Sequence, residues 1–160
     1  MRVTGRRPVL LLPALLLTRC GGAPPPPPSL DLQVEAGADQ NPIAGHPTSV
    51  VIKLHQLAAP GAFESADVFA LTDREAATLG ADDLGSQEIL LSPGEKRVIQ
   101  TPLKPGAAFL GAVALFHDVD HAQWRALVPL APNAVSSLRL TASGIKLTLQ
   151  ATQPGKAHRA

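Results

Sequence analysis

The stretch LDLQVEA, residues 30–36, alternates apolar and polar side chains at every position. In an extended chain the apolar members would share one face: Leu30, Leu32, Val34 and Ala36. A strand that covers a core on one side and meets water on the other has this period of two. The stretch therefore predicts a β-strand with one face against a hydrophobic core and the other face in water.

The same alternation recurs along the chain in VVIKLHQ (50–56), SLRLTA (137–142) and IKLTLQ (145–150). In the first of these, Val50, Ile52 and Leu54 are predicted to face inward, with Lys53 and His55 outward. AFLGAVALF (108–116) is apolar on both faces and predicts a central strand. EILL (88–91) and RVIQTPL (97–103) predict two strands joined by a Pro-Gly turn in SPGEK.

Helical signals are confined to one region between these strands. Thr72 and Glu75 form a capping-box pattern and Gly80 is a stop signal, which predicts a short helix near residues 73–79. FESADVFAL (63–71) predicts a further turn or two, with three apolar anchors: Phe63, Phe69 and Leu71. Seven or eight strands with one helical insertion predict an all-β sandwich that spans residues 30–152.

Composition is consistent with one aliphatic domain and excludes some functions. Hydrophobic residues make up 45% of the chain and aromatic residues 3%, while sixteen prolines and thirteen glycines favour short strands and turns. After residue 20 the sequence holds ten basic and thirteen acidic groups, a net charge of −3. A mildly acidic body without a basic stripe argues against nucleic-acid binding. One cysteine excludes an internal disulfide.

The N-terminus has the pattern of an export signal. Arg2, Arg6 and Arg7 precede the apolar run PVLLLPALLL (8–17), whose ten residues are too few to span a bilayer, which takes about 20. LTRC (17–20) resembles a bacterial lipobox, so residues 1–19 are predicted to be a lipoprotein signal peptide. The resemblance implies that Cys20 is acylated and that the protein is retained at the outer membrane. Two or more acyl chains give stable anchoring.

Residues 20–29 are interpreted as the lipidated cysteine and a proline-rich tether. Five consecutive prolines favour polyproline II, which rises about 3.1 Å per residue. A simple linker of untuned length is an equal interpretation. An alternative to lipidation also stays open, because Arg19 stands where a lipobox has Gly, Ala or Ser. Ordinary cleavage after Ala23 would then release a soluble periplasmic ligand-binding sandwich. Residues 153–160 are predicted to be a disordered tail.

Catalytic motifs are absent from the sequence, so we predict no enzyme activity, cofactor or small-molecule substrate. HDVDH (117–121) is the best metal candidate through His117, Asp118, Asp120 and His121, but needs a third converging ligand. A polar turn after the buried strand is the preferred interpretation. Trp124 is predicted to belong to the core and Arg125 to pair with Asp118 or Asp120. The scattered histidines are predicted to face solvent: His46, His55 and His158.

Four segments in order resemble the TssJ (SciN/VasD) family of type VI secretion lipoproteins. They are NPIAGHPTSVVIKLHQL (41–57), AFESADVFAL (62–71), LSPGEKRVI (91–99) and FLGAVALFHDVDHAQWRAL (109–127). The resemblance implies a transthyretin-like β-sandwich with a small helical addition. It also implies a non-enzymatic lipoprotein on the periplasmic face of the outer membrane, whose partner is the periplasmic C-terminal region of TssM, the IcmF-like inner-membrane protein.

In the family the loop between the first two strands is implicated in that contact. Here the loop is GADQNPIAGHPTS, residues 37–49, in which two prolines restrict the backbone and Gly45 permits a turn. The partner-binding residues that the resemblance implies are Asp39, Gln40, Asn41, Pro42, Ile43, Gly45, His46 and Pro47. A plain strand connection is the alternative interpretation.

Overall fold

The computed structural model of the protein describes residues 27–152. The predicted signal peptide, Cys20, most of the predicted tether, His158 and the predicted C-terminal tail lie outside the described residues. Eight strands are present: β1 (Ser29–Ala36), β2 (Val50–Leu57), β3 (Asp83–Leu91), β4 (Lys96–Pro102), β5 (Phe109–Ala114), β6 (Arg125–Pro129), β7 (Val135–Ser143) and β8 (Lys146–Ala151). Three short α-helices lie between β2 and β3: α1 (Gly61–Ser65), α2 (Val68–Thr72) and α3 (Glu75–Leu79), and a 3₁₀ turn (Gly80–Asp82) follows the last of them.

The strands form two four-stranded sheets, which we call sheet I and sheet II. Sheet I has the order β4-β1-β7-β8 and sheet II the order β3-β2-β5-β6. Within sheet I, β1 and β7 are parallel, and Leu32 lies opposite both Ile99 of β4 and Leu138 of β7. All pairs in sheet II are antiparallel. The prediction of an all-β sandwich with a helical insertion is confirmed.

The main core fills the space between the sheets and follows the period-two pattern. Leu32, Val34 and Ile52 are among its fully buried members. The apolar strand β5 is interior to sheet II, as predicted, and Ala112, Val113 and Ala114 are all fully buried. β5 is buried on both faces because the helical insertion covers the outer side of sheet II.

Strands β3 and β4 belong to different sheets although a four-residue turn connects them. Gly94 in this turn has φ +75°, a conformation that glycine adopts without a steric penalty. The predicted Pro-Gly turn is therefore present, and it carries the chain from one sheet to the other.

The helical insertion differs from its prediction in three details. The last helix begins at Glu75, not at residue 73, and no side chain caps its N-terminus. The capping box does not form because Thr72 ends α2, where its hydroxyl donates to the Val68 carbonyl at 3.0 Å. Asp67 caps α2 instead, by accepting from the Ala70 amide at 2.8 Å. Phe69, a predicted anchor, is 60% exposed. In residues 27–152 no helix has the length and apolarity needed to cross a membrane.

His55 was predicted to face solvent, but it is fully buried. Its side chain does leave the main core, as the alternation requires, yet the helical insertion covers that outer face. The Nδ1 atom lies 3.2 Å from the Asp83 carboxylate, and the imidazole ring lies 5.9 Å from the Phe63 ring. The second core, between sheet II and the helices, includes Phe63, Leu57 and Val113.

Candidate functional site at the loop between β1 and β2

The loop of residues 37–49 lies at one end of the sandwich, which we call the loop end. Backbone hydrogen bonds attach it to two neighbouring turns. Gly94 donates to the Gly37 carbonyl at 3.2 Å, and Asn41 donates to the Gly144 carbonyl at 2.6 Å. The loop is therefore bound to the β3–β4 and β7–β8 turns, and its path is fixed by both sheets.

Gln40 is fully buried beneath this loop. Its amide nitrogen donates to the Leu91 carbonyl at 2.6 Å, at the end of β3. The Gln40 amide also approaches the Thr48 carbonyl at 3.4 Å, across the loop. One side chain thus ties the two arms of the loop to sheet II.

Asn41 is also buried and has φ +45°, in the left-handed region that Asn tolerates better than most residues. Its amide nitrogen donates to the Ser49 carbonyl at 2.8 Å and to the Thr48 hydroxyl at 2.9 Å. The Asn41 side-chain oxygen accepts from the His117 amide at 2.8 Å. This residue links the loop to the segment after β5.

The tip of the loop is a tight turn between Ile43 and His46. Their backbones exchange two hydrogen bonds of 2.9 Å, and Ala44 and Gly45 both have positive φ, as a type I′ turn requires. Ile43 is 41% exposed at this turn. The turn therefore presents an aliphatic side chain to solvent on a constrained backbone.

Asp39 is exposed at the start of the loop and contacts the β7–β8 turn. Its carboxylate accepts from the Ser143 hydroxyl at 2.9 Å. This hydrogen bond, with backbone bonds from Asp39 and Gly144, lowers the pKa of Asp39 below its ordinary value of 3.8. The carboxylate is charged at neutral pH and adds a fixed negative group to the loop end.

Six of the eight residues predicted for partner contact are exposed: Asp39, Pro42, Ile43, Gly45, His46 and Pro47. The other two, Gln40 and Asn41, are buried and support the loop from within. Both were predicted to be exposed because they are polar. They can be buried because their amide nitrogens donate to backbone carbonyls, Gln40 to Leu91 at the end of β3 and Asn41 to Ser49 at the end of the loop. Thr48, which the sequence reasoning did not single out, completes this support through its hydroxyl bond to the Asn41 carbonyl at 2.6 Å.

The HDVDH segment is a turn at the loop end, as predicted. His121 Nδ1 lies 2.7 Å from the Asp118 carboxylate, and this hydrogen bond raises the pKa of His121 above its ordinary value of 6.5. Among the described residues, no group of three or more His, Cys, Asp and Glu side chains could hold a metal ion. The pair adds a titratable charge next to the loop.

Arg125 does not pair with Asp118 or Asp120, so that prediction is wrong. Its Nη1 atom donates to the Phe63 carbonyl at 3.0 Å and the Ala66 carbonyl at 2.9 Å. The guanidinium also lies 4.9 Å from the centre of the Trp124 ring. Trp124 is half-buried and packs against both cores, in agreement with its predicted place. These carbonyls lie at the end of α1, where they lack partners within the helix and can accept from the guanidinium.

The chain enters the sandwich at the opposite end, which we call the base end. Leu103 donates its amide to the Pro28 carbonyl at 3.1 Å, immediately before β1. From there β1 runs its eight residues toward the loop, a rise of about 26 Å. The N-terminal entry and the exposed loop tip are therefore separated by the full length of the sandwich.

Comparison with known families and structures gives a consistent result. Residues 28–152 match the T6SS-SciN family, described as type VI secretion lipoprotein, VasD, EvfM, TssJ. The structure of the T6SS lipoprotein TssJ1 from Pseudomonas aeruginosa is similar, with 34% identity, a TM-score of 0.77, and coverage of 80% of this chain and 98% of that one. No match was found among functionally curated proteins.

Two further structures share the fold. Serratia marcescens Lip, a membrane bound component of the type VI secretion system, has 22% identity and a TM-score of 0.70, over 79% of this chain and 97% of that one. A chain from a structure described as the T6SS protein TssM C-terminal domain (869-1107) from EAEC has 31% identity and a TM-score of 0.61. The match covers 76% of this chain and 96% of that one.

Proposed function

The chain belongs to the T6SS-SciN (TssJ) family of type VI secretion lipoproteins, and we propose that it is a non-enzymatic adaptor. In this proposal, acylated Cys20 holds the protein on the periplasmic face of the outer membrane. The loop end binds the periplasmic C-terminal region of a TssM (IcmF-like) inner-membrane protein. A chain that resembles this protein comes from a structure that is described as the TssM C-terminal domain, and this supports the choice of partner.

The observation that carries the proposal is the position of the loop relative to the chain entry. An anchor attached before Pro28 would hold the base end toward the bilayer, and the loop end would then face away from it. A protein that joins an outer-membrane anchor to an inner-membrane partner needs its binding surface on the far side. The about 26 Å rise of β1 supplies that separation.

The construction of the loop also supports a binding role. Gln40 and Asn41 fix the backbone from below, so the exposed turn from Ile43 to His46 loses little conformational freedom on binding. Such preorganisation raises affinity by lowering the entropic cost of association. An exposed aliphatic side chain at the tip is suited to enter an apolar pocket of the partner.

The binding test replaces only the exposed tip and leaves the buried supports intact. Ile43→Asp should weaken binding to the purified periplasmic C-terminal region of the partner by at least about tenfold, measured by calorimetry. Val135→Asp is the matched control, because Val135 is 48% exposed and lies at the base end, opposite Ser29 of β1. The control should bind like the unchanged protein.

Equal affinities for the two variants would contradict a contact at the loop tip. If Ile43→Asp unfolds at a lower urea concentration than Val135→Asp, His46→Asp provides a second test at the same turn. A replacement of residues 37–49 by Gly and Ser is less informative, because it also removes Gln40 and Asn41 from the interior.

The anchor test uses the single cysteine. Cys20→Ser should move the protein from the membrane fraction to the soluble periplasmic fraction while its circular dichroism spectrum stays unchanged. Mass spectrometry of the mature N-terminus should find an acylated Cys20. An unmodified N-terminus after Ala23 would contradict the anchor and favour the soluble ligand-binding alternative.

A further inference from the structure

The two long sides of the sandwich differ in how they are closed. On one side β6 and β8 approach each other, and the segment before β6 bonds to β8. Gln123 donates to the Ile145 carbonyl at 2.9 Å and accepts from the Leu147 amide at 2.8 Å. On the other side the edges of β3 and β4 face each other, and within residues 27–152 the side-chain hydrogen bonds between the sheets lie toward the two ends.

The links on this second side are few. At the loop end the Arg97 guanidinium donates to the Leu90 carbonyl. Near the base end Gln56 accepts from the Lys104 amide at 2.7 Å and lies 3.3 Å from the Pro102 carbonyl. Between these links the central part of the β3 edge, residues 86–89, faces the open side.

The two edges also differ in their protection against pairing. β4 carries Lys96, Arg97 and Pro102, which are residues that discourage another strand from adding to an edge. β3 has the sequence DLGSQEILL and contains no lysine, arginine or proline over its nine residues. β3 does carry the acidic Asp83 and Glu88, but within residues 27–152 no strand pairs with its outer edge.

A cleft of about 230 Å³ lies between the two edges. Its apolar lining comes from the core, through Leu30, Leu54 and Leu103. Gly85 widens the cleft at β3, where an added Cβ would lie 3.4 Å from the Cε atom of Lys104. A strand that paired with β3 would direct alternate side chains into this space.

The charge of the cleft is positive. Lys104 is the one ionisable side chain among its lining residues, and it forms no ion pair within residues 27–152. Asp83 at the start of β3 is already engaged, by His55 and by the Gly85 amide at 3.1 Å. A ligand with a carboxylate would complement Lys104.

We propose that the cleft between β3 and β4 binds an extended acidic peptide, which adds to the free edge of β3. The backbone of the peptide pairs with β3, an aliphatic side chain enters the space above Leu30 and Leu54, and a carboxylate meets Lys104. Strand addition of this kind derives affinity from main-chain hydrogen bonds and specificity from alternate side chains. The site lies on the long side of the sandwich and is separate from the loop tip.

The test measures hydrogen exchange of the full chain in detergent micelles with a synthetic peptide of the sequence TVTVTVE, acetylated and amidated. The peptide should slow exchange at residues 85–89 of β3, with half-saturation at or below about 1 mM. A peptide with every backbone amide N-methylated should not, because it has no amide hydrogen to donate to the β3 carbonyls. Replacing its glutamate with glutamine should weaken binding about threefold to fivefold, as expected for an accessible ion pair.

Lys104→Gln should weaken the glutamate peptide by the same factor and leave the glutamine peptide unchanged. Lys96→Gln is the matched control on the protected edge and should change neither. Ile43→Asp should also leave peptide binding intact, which separates this site from the loop end.

Three results would overturn the proposal. The first is no protection of β3 by any peptide at 1 mM or below, and the second is equal binding of the N-methylated peptide. The third is protection of β3 that rises with protein concentration in the absence of peptide, because a second copy of the chain would then occupy the edge.

Discussion

Asn41 shows how one buried residue can define an exposed loop. Its left-handed backbone and three side-chain hydrogen bonds join both arms of the loop to the segment after β5. Asn41→Ala would remove all three bonds, which are partly buried, and leave their partner groups to find other partners. We expect a loss of about 2–4 kcal/mol in the free energy of unfolding, measured by urea denaturation.

The exposed neighbour Pro42 supplies the control, and Pro42→Ala should change stability by about 1 kcal/mol or less. A similar loss for both variants would mean that the Asn41 hydrogen bonds are not what fixes the loop.

His121 gives the loop end a dependence on pH. The Asp118 carboxylate raises the pKa of His121 above 6.5, first through its hydrogen bond and second through its charge. The folded pKa is raised, so the stabilisation from this pair is fully present below pH 6.5 and fades as pH rises through the raised pKa. The pair is exposed, so its effect on stability is small.

The pKa of His121 can be followed directly by NMR titration of its ring protons. Asp118→Asn should lower the pKa toward the ordinary value. Asp120→Asn should lower it less, since the Asp120 charge is the smallest of the contributing causes. An unchanged pKa in Asp118→Asn would show that the hydrogen bond is absent in solution.

At the scale of elements, cations from sheet II hold the helical insertion in place. Lys53 donates to the Thr72 carbonyl at the end of α2 at 2.8 Å and pairs with Glu75 at 3.1 Å. Arg125 caps the end of α1 in the same way. Cations suit these positions because the last carbonyls of a helix lack partners and carry partial negative charge.

Arg125→Gln should therefore loosen α1. We expect a loss of about 1.5–3 kcal/mol in unfolding free energy and faster hydrogen exchange at residues 62–66. Arg139→Gln is the control, because Arg139 is exposed on sheet I and, within residues 27–152, its side chain bonds to Gln33 alone, at 3.1 Å. It should change stability by no more than about 0.5 kcal/mol. An equal loss in the two variants would argue against the cap.

The contact between β5 and α1 depends on Gly111. An added Cβ there would lie 2.7 Å from the Phe63 ring, closer than packing allows. Gly111→Ala should cost about 1–3 kcal/mol in unfolding free energy, because the ring and its helix must shift. Gly85→Ala is a control in another strand, where the nearest atom is the movable Cε of Lys104 at 3.4 Å.

A double variant tests whether Phe63 is the cause. Phe63→Leu replaces the ring that an added Cβ would meet with a smaller side chain. Adding Gly111→Ala to this variant should therefore reduce the unfolding free energy by less than it does in the unchanged protein. Additive losses would mean that the two residues are not coupled.

At the scale of the whole molecule, the proposed anchor predicts a definite orientation on a membrane. Ala44→Cys marks the loop tip and Pro105→Cys marks the base end, and each can carry a fluorophore once the native thiol is acylated. On vesicles with spin-labelled lipids, the label at residue 105 should be quenched more strongly than the label at residue 44. Equal quenching, or stronger quenching at residue 44, would contradict the orientation.

The sandwich itself could be predicted from the sequence because the pattern that marks each strand lies within that strand. Each strand carries its own period-two pattern, and a residue such as Leu32 or Leu140 is buried by the same alternation that makes its strand. Turns are also marked locally. Gly94 and Gly144 both have positive φ, a conformation that favours glycine. The resemblance of four successive segments to the TssJ family implied the transthyretin-like topology and drew attention to the loop between the first two strands.

The tertiary structure alone decided which polar residues are exposed. His55 follows the alternation to the outer face of sheet II, but that face is covered by helices that come later in the chain. Gln40, Asn41 and Arg125 find their partners on distant segments, at carbonyls and amides that no local pattern marks. Local periodicity determines which side of a strand a residue occupies, whereas long-range packing determines whether that side meets water.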